Sequence, residues 1–317
     1  MDVSEQELLT AIRKVLSGAG PQVRLGVGDD AAVVAPGSGE LVLTTDSLVE
    51  GSHFSRGTTS ARDLGYKAIV VNLSDIAAMA ASPRYALCAL TLSEDVDAAW
   101  VMELFGGMRE AADEYALWVV GGNLARGSEI TVAVTALGEV APGRAITRAG
   151  ARVGDRIVLT GELGGSAAGR RLLRMRTPPD PGQRSAILRH ARPSARVGEA
   201  AALARCGATA MIDISDGLTL DLSRLCRASG VGARVDIASV PIAEAATLEE
   251  ALGGGEDYEL VVTLPDEASV ATAREELREG FGVPLTEIGV VIGEGLIGVG
   301  SDGAERTLEP RGWDHFA

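Results

Sequence analysis

The sequence predicts a mixed α/β protein of the α+β type with two domains. The chain has 317 residues, which exceeds an ordinary single domain of roughly 150 residues. Short β-branched runs alternate with longer runs of helical periodicity along its whole length. The segment 141–155, APGRAITRAGARVGD, is rich in Gly, Pro and Arg and interrupts this periodicity. We therefore expect an N-terminal domain over residues 1–140 and a C-terminal domain over residues 141–317.

The first half of the chain is predicted to consist of strands with inserted helices. The opening helix, residues 4–17, has apolar side chains at helical spacing behind Ser4, with Glu7 completing a capping box and Gly18 ending the run. Strands are predicted where β-branched runs lie between Gly, Pro and Asp turn signals. The remaining predictions in this half are strands at 23–27, 31–35 and 41–49, a helix at 60–80, a strand at 85–92, a helix at 97–115, and strands at 117–120 and 130–140.

The second half begins a new alternation of strands and helices. Its sequence contains one faint echo of the first half, because Asn72-Leu-Ser-Asp75 and Asp213-Ile-Ser-Asp216 both place Ser-Asp just before or within helical sequence. Four residues alone are weak support for an internal duplication. The predicted elements are a strand at 156–160, a helix at 165–175, a polar loop at 177–183, helical stretches to 206, a strand at 208–214, a helix at 216–228 and a strand at 259–264.

The charge balance excludes several classes of function. Lys and Arg total 29 against 44 Asp and Glu, for a net charge of −15. Such a surface repels phosphodiester backbones and anionic lipid, so we expect no nucleic-acid partner and no membrane. Only Lys14 and Lys67 are lysines, and neither follows the glycine spacing of a P-loop. The acidic start of the sequence and the lack of a run of ~18 apolar residues predict a cytoplasmic protein.

The informative residues are carboxylates at strand ends or in apolar surroundings. An ionised carboxylate in such a place is costly unless hydrogen bonds or opposite charge offset it. Mg²⁺ accepts oxygen ligands from one or two carboxylates and completes its shell with water and substrate phosphates, so the pattern predicts a magnesium nucleotide site. Taken singly, each motif also fits a turn, a strand end or a helix N-cap. The residues are Asp29 and Asp30 in GDD, Asp46 in TTD, Asp75 in NLSD, and Asp213 and Asp216 in DISDGL.

Two glycine-rich segments are further candidates for ligand contact. Gly121-Gly122-Asn123 follows an apolar run, and glycine at a strand end permits a phosphate or base to approach the backbone, although a plain turn fits equally well. Gly253-Gly254-Gly255 leads into Glu256-Asp257-Tyr258, which fits either a substrate-facing loop or a turn. Arg148 could pair with a phosphate or lie on the solvated surface. A lone His53 is ordinarily a packed or exposed side chain.

The motifs together resemble one known family. GVGDDAA, LTTDSLVEGSHF, YKAIVVNLSDIAAMAASP, DISDGL, GGGEDYEL and the final RGWDHF occur in this order. They resemble the thiamine-monophosphate kinases of the aminoimidazole-ribonucleotide synthetase superfamily over essentially the whole chain. GDD or DISDGL alone would be shared with the wider superfamily, whereas the combination with the other motifs is specific to the kinases.

The resemblance implies a fold and a reaction. The fold is a two-domain aminoimidazole-ribonucleotide-synthetase-like subunit, whose N-terminal sheet pairs with that of a second subunit into a barrel across a homodimer. The reaction is the ATP-dependent conversion of thiamine monophosphate to thiamine diphosphate, with several Mg²⁺ ions and ATP between the halves. Because the acceptor phosphate is already ionised near neutral pH, no general base or covalent nucleophile is expected.

The resemblance also implies roles for individual residues. In place of the acid of the family's Gly-Asp pair the chain has Asn123, whose neutral amide removes one negative charge from a metal ligand and predicts weaker binding of that ion. The implied metal ligands are Asp30, Thr44, Thr45, Asp46, Asp75, Asn123, Asp213 and Asp216; the implied ATP contacts are Gly122, Asn123, Arg148 and Ser215; and the implied thiamine contacts are His53, Glu256 and Trp313.

Two rival interpretations remain at this stage. One is another ATP-using member of the superfamily, such as an aminoimidazole-ribonucleotide synthetase or a selenophosphate synthetase. A selenophosphate synthetase would carry a catalytic Cys or selenocysteine near its N-terminus, and the first Cys here is Cys88. The other rival is a nucleotide-binding homologue that has lost catalysis, for which Asn123 is the sequence support.

Overall fold

The chain folds into two compact units, as seen in a computed structural model that describes residues 4–16, 22–27, 31–35, 37–175 and 180–313. The first unit comprises residues 1–76 and 81–143, and the second comprises residues 77–80 and 144–317. In the described ranges, no helix is both long enough and apolar enough to span a bilayer.

The first unit contains a short two-stranded sheet and a four-stranded sheet with helices. The four-stranded sheet has the order β3-β6-β4-β5, with β4 and β5 parallel and the other neighbours antiparallel. Strands β1 and β2 form the two-stranded sheet. The elements are α1 (Glu5–Val15), β1 (Val23–Leu25), β2 (Val33–Val34), β3 (Glu40–Val49), α2 (Ala61–Ala78), β4 (Ser82–Leu92), α3 (Ala98–Glu114), β5 (Trp118–Arg126) and β6 (Thr131–Val140).

Local sequence explains the predicted helix at the start. Ser4 caps α1 by accepting the Glu7 N–H, and the Glu7 carboxylate accepts the Ser4 N–H, which completes the predicted capping box. Leu8 and Ile12, one turn apart on α1, are buried. The capping prediction is confirmed.

Helices α2 and α3 cross at a pair of glycines. A Cβ atom on Gly65 would overlap the backbone carbonyl of Leu104, and one on Gly107 would overlap that of Arg62. The two backbones therefore approach more closely than any larger side chain would permit. Neighbouring Gly106 differs, because a Cβ there would meet only the mobile end of the Arg62 side chain, at 3.2 Å.

The sequence prediction for β5 was wrong in its extent. The strand was expected to stop at residue 120, before the two glycines, but it continues through Gly121, Gly122 and Asn123 to Arg126. Glycine usually weakens a strand, yet here it permits close approach, because a Cβ on Gly122 would overlap the carbonyl oxygen of Cys88 on β4. The motif therefore lies inside a strand and not in a turn.

The second unit is built on a seven-stranded sheet with the order β13-β12-β9-β11-β7-β10-β8. All neighbours are antiparallel except β12 and β9. Strands β7, β8 and β10 are buried almost throughout, which explains their continuous apolar sequences. The elements are β7 (Arg156–Thr160), α4 (Gly165–Met175), α5 (Pro181–Ala191), α6 (Val197–Arg205), β8 (Ala210–Asp213), α7 (Leu218–Ser229), β9 (Gly232–Asp236), a short 3₁₀ helix (Ile237–Ser239), α8 (Leu248–Gly253), β10 (Leu260–Leu264), α9 (Glu267–Phe281), β11 (Leu285–Ile292), β12 (Leu296–Val299) and β13 (Glu305–Thr307).

Part of the predicted polar loop at 177–183 is helical. Asp180 caps α5 by accepting the Gln183 N–H, and Pro181 occupies the first helical position, where its missing N–H is not needed. The segment was interpreted as a loop because it is polar, but Pro181 starts a helix. Residues 176–179 lie outside the described ranges.

The N-terminus of α4 is capped from a distant part of the chain. Asp257 accepts the N–H groups of Gly164 and Ser166 at 2.6 and 3.1 Å. These bonds satisfy two N–H groups at the start of the helix, where the backbone has no partner within the helix itself. Burial nevertheless raises the pKa of Asp257 to about 7, against the opposing effect of the two N–H groups.

The glycine crossing predicts opposite effects for adjacent substitutions. Gly65→Ala should lower the free energy of unfolding by about 1–3 kcal/mol, because two helix backbones must separate. Gly106→Ala should be neutral or raise it by up to about 1 kcal/mol, because alanine favours the helix and only a flexible side chain must move. Urea unfolding of both variants checks this, and equal effects would contradict the close crossing.

Asp257 predicts a pH dependence of stability. The native carboxyl keeps its proton up to about pH 7, whereas the unfolded chain releases it near 3.8. Its contribution to stability is therefore present below pH 3.8 and is lost as the pH rises through about 7. In Asp257→Asn, the free energy of unfolding should decline less between pH 5 and pH 8 than in the parent.

A matched control is Asp266→Asn. Asp266 also caps a helix, α9, but it is exposed, and hydrogen bonds from Ser269 hold its pKa below 3.8. Its contribution is lost only as the pH falls through that lowered pKa, so it stays constant between pH 5 and pH 8. Identical pH profiles of unfolding free energy for the parent and both variants would show that the pKa of Asp257 is not raised in the folded protein.

Candidate active site

Strand β3 carries three of the predicted ligands on alternating faces. Thr44 and Asp46 lie on one face, and Thr45 lies on the other, because successive side chains of a strand point to opposite sides. The Thr44 hydroxyl donates to a carboxylate oxygen of Asp75 on α2 at 2.6 Å, which fixes this as the face toward α2. The Thr45 hydroxyl instead donates to the carbonyl of Val134 on β6 at 3.1 Å. Thr44 and Asp75, two of the predicted ligands, therefore lie in contact, while the Thr45 side chain lies on the opposite face of the sheet.

The register of the sheet separates Asn123 from Thr44 and Asp46. Asp46 pairs with Val134, Val134 with Cys88, and Cys88 with Gly122, so Asp46 and Gly122 share one row and one face. Asn123, the next residue of β5, lies on the opposite face. Strands β3 and β5 are the two edges of this sheet, and three strand spacings of ~4.8 Å put them about 14 Å apart.

His53 occupies a tight turn directly after β3. Its backbone N–H donates to the carbonyl of Val49 at 2.9 Å, and its Nδ1 accepts the Val49 N–H at 3.1 Å. In the neutral ring, the proton is therefore on Nε2. The ring is half-buried, and its orientation is set by this local bond. The predicted ligand Asp30 lies outside the described residues.

In the second unit, the buried carboxylate of Asp221 organises the loop of the DISDGL motif. The motif begins at Asp213, which ends β8 and is only 2% exposed. The loop that follows turns sharply, and Asp221 on α7 accepts the N–H groups of Ser215, Asp216 and Gly217 through one oxygen, at 3.1, 3.0 and 3.1 Å. Three consecutive N–H groups on one carboxylate fix the backbone of this loop.

Arg224 forms ion pairs with the carboxylates of both Asp221 and Asp216. Its Nη1 lies 2.6 Å from the second oxygen of Asp221 and 2.5 Å from Asp216. Burial raises the pKa of Asp221, and the N–H groups and Arg224 oppose that effect. Asp216 in the loop and Asp221 on α7 therefore share one guanidinium.

The GGGEDYEL segment is hydrogen-bonded along this loop. The Glu256 N–H donates to the carbonyl of Ser215 at 2.8 Å, and the Tyr258 N–H donates to the carbonyl of Ile214 at 2.9 Å. Glu256 and Tyr258 adopt positive φ angles of 67° and 54°, which are strained for residues with a Cβ. A Cβ on Gly255 would lie 2.5 Å from the Ser215 carbonyl, which explains the glycine.

The segment around Trp313 also packs against this loop. The Trp313 N–H donates to the carbonyl of Asp216 at 3.0 Å. The Thr219 hydroxyl on α7 donates to the carbonyl of Arg311 and accepts its N–H, both at 3.0 Å. The Arg170 guanidinium lies over the Trp313 ring, 5.8 Å from its centroid, in a cation–π contact.

A buried histidine contacts the Glu256 side chain. His190 on α5 is 7% exposed, and its Nδ1 lies 3.3 Å from a carboxylate oxygen of Glu256 and 3.0 Å from the Ser166 hydroxyl. Both neighbours meet the same ring nitrogen. A nucleophilic relay would need the serine and the acid on opposite nitrogens, so this arrangement orients Glu256 and does not activate Ser166.

The second unit thus brings most of its predicted residues into one cluster. The exception is Arg148, whose carbonyl accepts the Ser229 hydroxyl at the C-terminal end of α7. The 12 residues of α7 place that end about 18 Å from its start beside the loop. The residues that do converge are Asp213, Ser215, Asp216, Glu256 and Trp313.

Sequence reasoning missed several residues that build this cluster. Asp221 could have been found, because it is an acid among leucines of a predicted helix, like Asp75. Asp257 lies in a motif that the sequence singled out, but its capping of α4 depends on tertiary contact. For Arg224 and His190, no local signal separates them from the other basic side chains.

Comparisons with known proteins agree with the motifs. Residues 28–140 match the family model for AIR synthase related protein, N-terminal domain, and residues 152–301 match the model for the C-terminal domain. The thiamine-monophosphate kinase of Escherichia coli (strain K12) is 41% identical over 310 residues, which span 93% of each protein.

Two solved structures share the architecture over nearly the full length. The thiamine-monophosphate kinase from Stenotrophomonas maltophilia K279a matches with a TM-score of 0.84 and 36% identity, covering 96% of this chain and 98% of that one. AaThiL complexed with AMPPCP and TMP matches with a TM-score of 0.78 and 35% identity, covering 100% and 99%. The mixed α/β two-domain fold is therefore that of AIR synthase relatives, and the chain belongs to the thiamine-monophosphate kinase family.

Proposed function

We propose that this chain transfers the terminal phosphoryl group of ATP directly to the phosphate of thiamine monophosphate, giving ADP and thiamine diphosphate. The observation that carries the proposal is the convergence of DISDGL, GGGEDYEL and Trp313 in one cluster of a chain that belongs to this kinase family. AaThiL, a relative with the same fold, was solved with AMPPCP and TMP bound together. Such a transfer requires a protein that binds both a nucleotide and the acceptor.

The oxygen donors fit Mg²⁺ held jointly with a nucleotide. Among the described residues, no group of three or more acids, histidines or cysteines could hold a metal ion by itself. Mg²⁺ commonly takes only one or two protein carboxylates and completes its shell with phosphate and water. Thr44 with Asp75 in the first unit, and Asp213 with Asp216 in the second, supply such partial oxygen sets. Mg²⁺ bound there would neutralise the charge of the triphosphate.

In this transfer, the role of the protein side chains is to position charged groups. They do not transfer protons. Phosphoryl transfer between two phosphates is limited by repulsion and alignment, and the acceptor is already an anion near neutral pH. His190 presents one nitrogen to both Ser166 and Glu256, which argues against a covalent relay through Ser166. The reaction is therefore a single in-line displacement.

Recognition of the thiamine cation is assigned to Glu256 and Trp313. Glu256 offers a carboxylate whose orientation is set by His190. Trp313 is 40% exposed, and Arg170 lies over its ring, so the indole is held in place and remains accessible to a cation. His53 on the first unit is assigned the positioning of substrate through Nε2, because Nδ1 is engaged by Val49.

A second copy of the chain is the proposed partner of the four-stranded sheet. The face opposite α2 carries exposed leucines, with Leu41 at 60%, Leu43 at 62% and Leu87 at 39% exposure. An apolar sheet face of this kind requires a cover, and a twofold interface provides the same face from both copies. The homodimer implied by the family resemblance would supply that cover.

Removing the charge of Asp75 should reduce the kinase activity of the parent protein much more than its stability. With ATP, Mg²⁺ and thiamine monophosphate, the parent should form thiamine diphosphate, measured by chromatography. Asp75→Asn should lower the rate at least about 100-fold while shifting the melting temperature of metal-free protein by only a few degrees, since its charge serves a bound ion. Asp113→Asn on α3, which loses an exposed carboxylate of the same unit, should keep the parent rate.

Two outcomes would refute this assignment. A parent protein that forms no thiamine diphosphate would support the catalytically silent homologue. Equal losses of melting temperature and rate in Asp75→Asn would assign Asp75 a structural role.

The dimer prediction uses matched leucines. The parent should scatter light as twice the mass of one chain at micromolar concentration, and Leu43→Arg should scatter as a single chain, because a charge on the covered face is desolvated. Leu188→Arg on α5, where the leucine is 58% exposed, should remain dimeric. A monomeric parent, or dissociation caused equally by both substitutions, would refute the proposed interface.

A further inference from the structure

Arg224 occupies the place beside Asp216 where a bound cation would be expected. Its Nη1 is 2.5 Å from Asp216 and 2.6 Å from Asp221, so one guanidinium nitrogen bridges two carboxylates. The Asp216 side chain is 22% exposed and Arg224 is 34% exposed, whereas Asp221 is 1% exposed. The bridge therefore joins a fixed, buried acid to an accessible one.

The two ends of the bridge differ in their freedom to move. The remaining oxygen of Asp221 accepts three backbone N–H groups, so this side chain cannot leave without dismantling the loop. The Asp216 side chain, in contrast, is held by its ion pair with Arg224. A competing cation can therefore take Asp216 while Arg224 stays bound to Asp221.

We propose that Arg224 is a positioning residue that substitutes for the metal at Asp216 when no metal nucleotide is bound, and that releases this carboxylate when one binds. The inference rests on the proposed function, in which Asp216 is a ligand of Mg²⁺. Arg224 keeps the acidic loop folded in the empty protein by neutralising it. It also weakens metal binding, because a divalent cation must displace one of its contacts and then lies near its positive charge.

The inference requires two effects of opposite direction from one substitution. Removing the guanidinium leaves Asp216 and Asp221 without their counter-charge, so metal-free protein should be less stable. The same removal eliminates the competitor, so less Mg²⁺ should be needed to saturate the site. A residue that only stabilised the fold would lower stability without lowering the Mg²⁺ requirement.

The test measures the melting temperature of the full chain during Mg²⁺ titration at a fixed concentration of AMPPCP, which requires no turnover. Arg224→Gln should melt several degrees lower without Mg²⁺ and should reach half of its Mg²⁺-dependent rise at a several-fold lower concentration than the parent. Arg224→Lys, which retains the charge, should lie close to the parent. Arg227→Gln, which removes a positive charge from an exposed position on the same helix, should leave the half-saturating concentration unchanged.

A double variant distinguishes competition for Asp216 from a long-range electrostatic effect of the Arg224 charge on the bound metal. In an Asp216→Asn background, Arg224→Gln should no longer change the half-saturating Mg²⁺ concentration, because the contested carboxylate is absent. An equal or higher Mg²⁺ requirement in Arg224→Gln than in the parent would overturn the inference, as would a parent that shows no Mg²⁺-dependent rise. A parent that shows the rise but forms no thiamine diphosphate would overturn the proposed function and leave the role of Arg224 supported.

Discussion

The structure of the second unit's site depends on one carboxylate, that of Asp221. A buried acid is stable only when its charge is met by donors, and here three successive N–H groups and one guanidinium meet it. The loop fixed in this way presents its own carbonyls outward. Those of Ser215 and Asp216 then accept the N–H groups of Glu256 and Trp313. Three segments distant in sequence are thus held to one another by backbone bonds that all originate from a single fixed loop.

This construction also accounts for the backbone strain at the site. Glu256 and Tyr258 have positive φ angles, each costing of order 1–3 kcal/mol in a residue with a Cβ. Both residues donate their N–H groups to the DISDGL strand and loop, so the strained conformation is enforced by the neighbouring backbone. It brings the Glu256 carboxylate to His190 while its neighbour Asp257 caps α4. Two side chains adjacent in sequence therefore have separate contacts, Glu256 with His190 and Asp257 with the start of α4.

The sequence predicts many of the helices and strands, because these follow from local pattern, and local pattern is also what singles out the acidic motifs. Asp75 and Asp216 were identified by their apolar flanks, and the capping box of α1 by its spacing. Tertiary contacts determine what the sequence could not predict. β5 continues through two glycines because the backbone of β4 requires them, and Arg224 is distinguished from other arginines only by the two acids that it contacts.

The alternation of a strand constrains how the first unit can contribute ligands. Thr44 and Asp46 face α2, whereas Thr45 and Asn123 lie on the face with the exposed leucines. Within one subunit, side chains on the two faces of a sheet cannot converge on a single ion. A contribution of Asn123 to metal binding would therefore be made on the leucine face, which a second copy covers in the proposed homodimer. If both proposals hold, dimer formation and the neutral amide at Asn123 concern the same face of one sheet, so a change to either would affect the other.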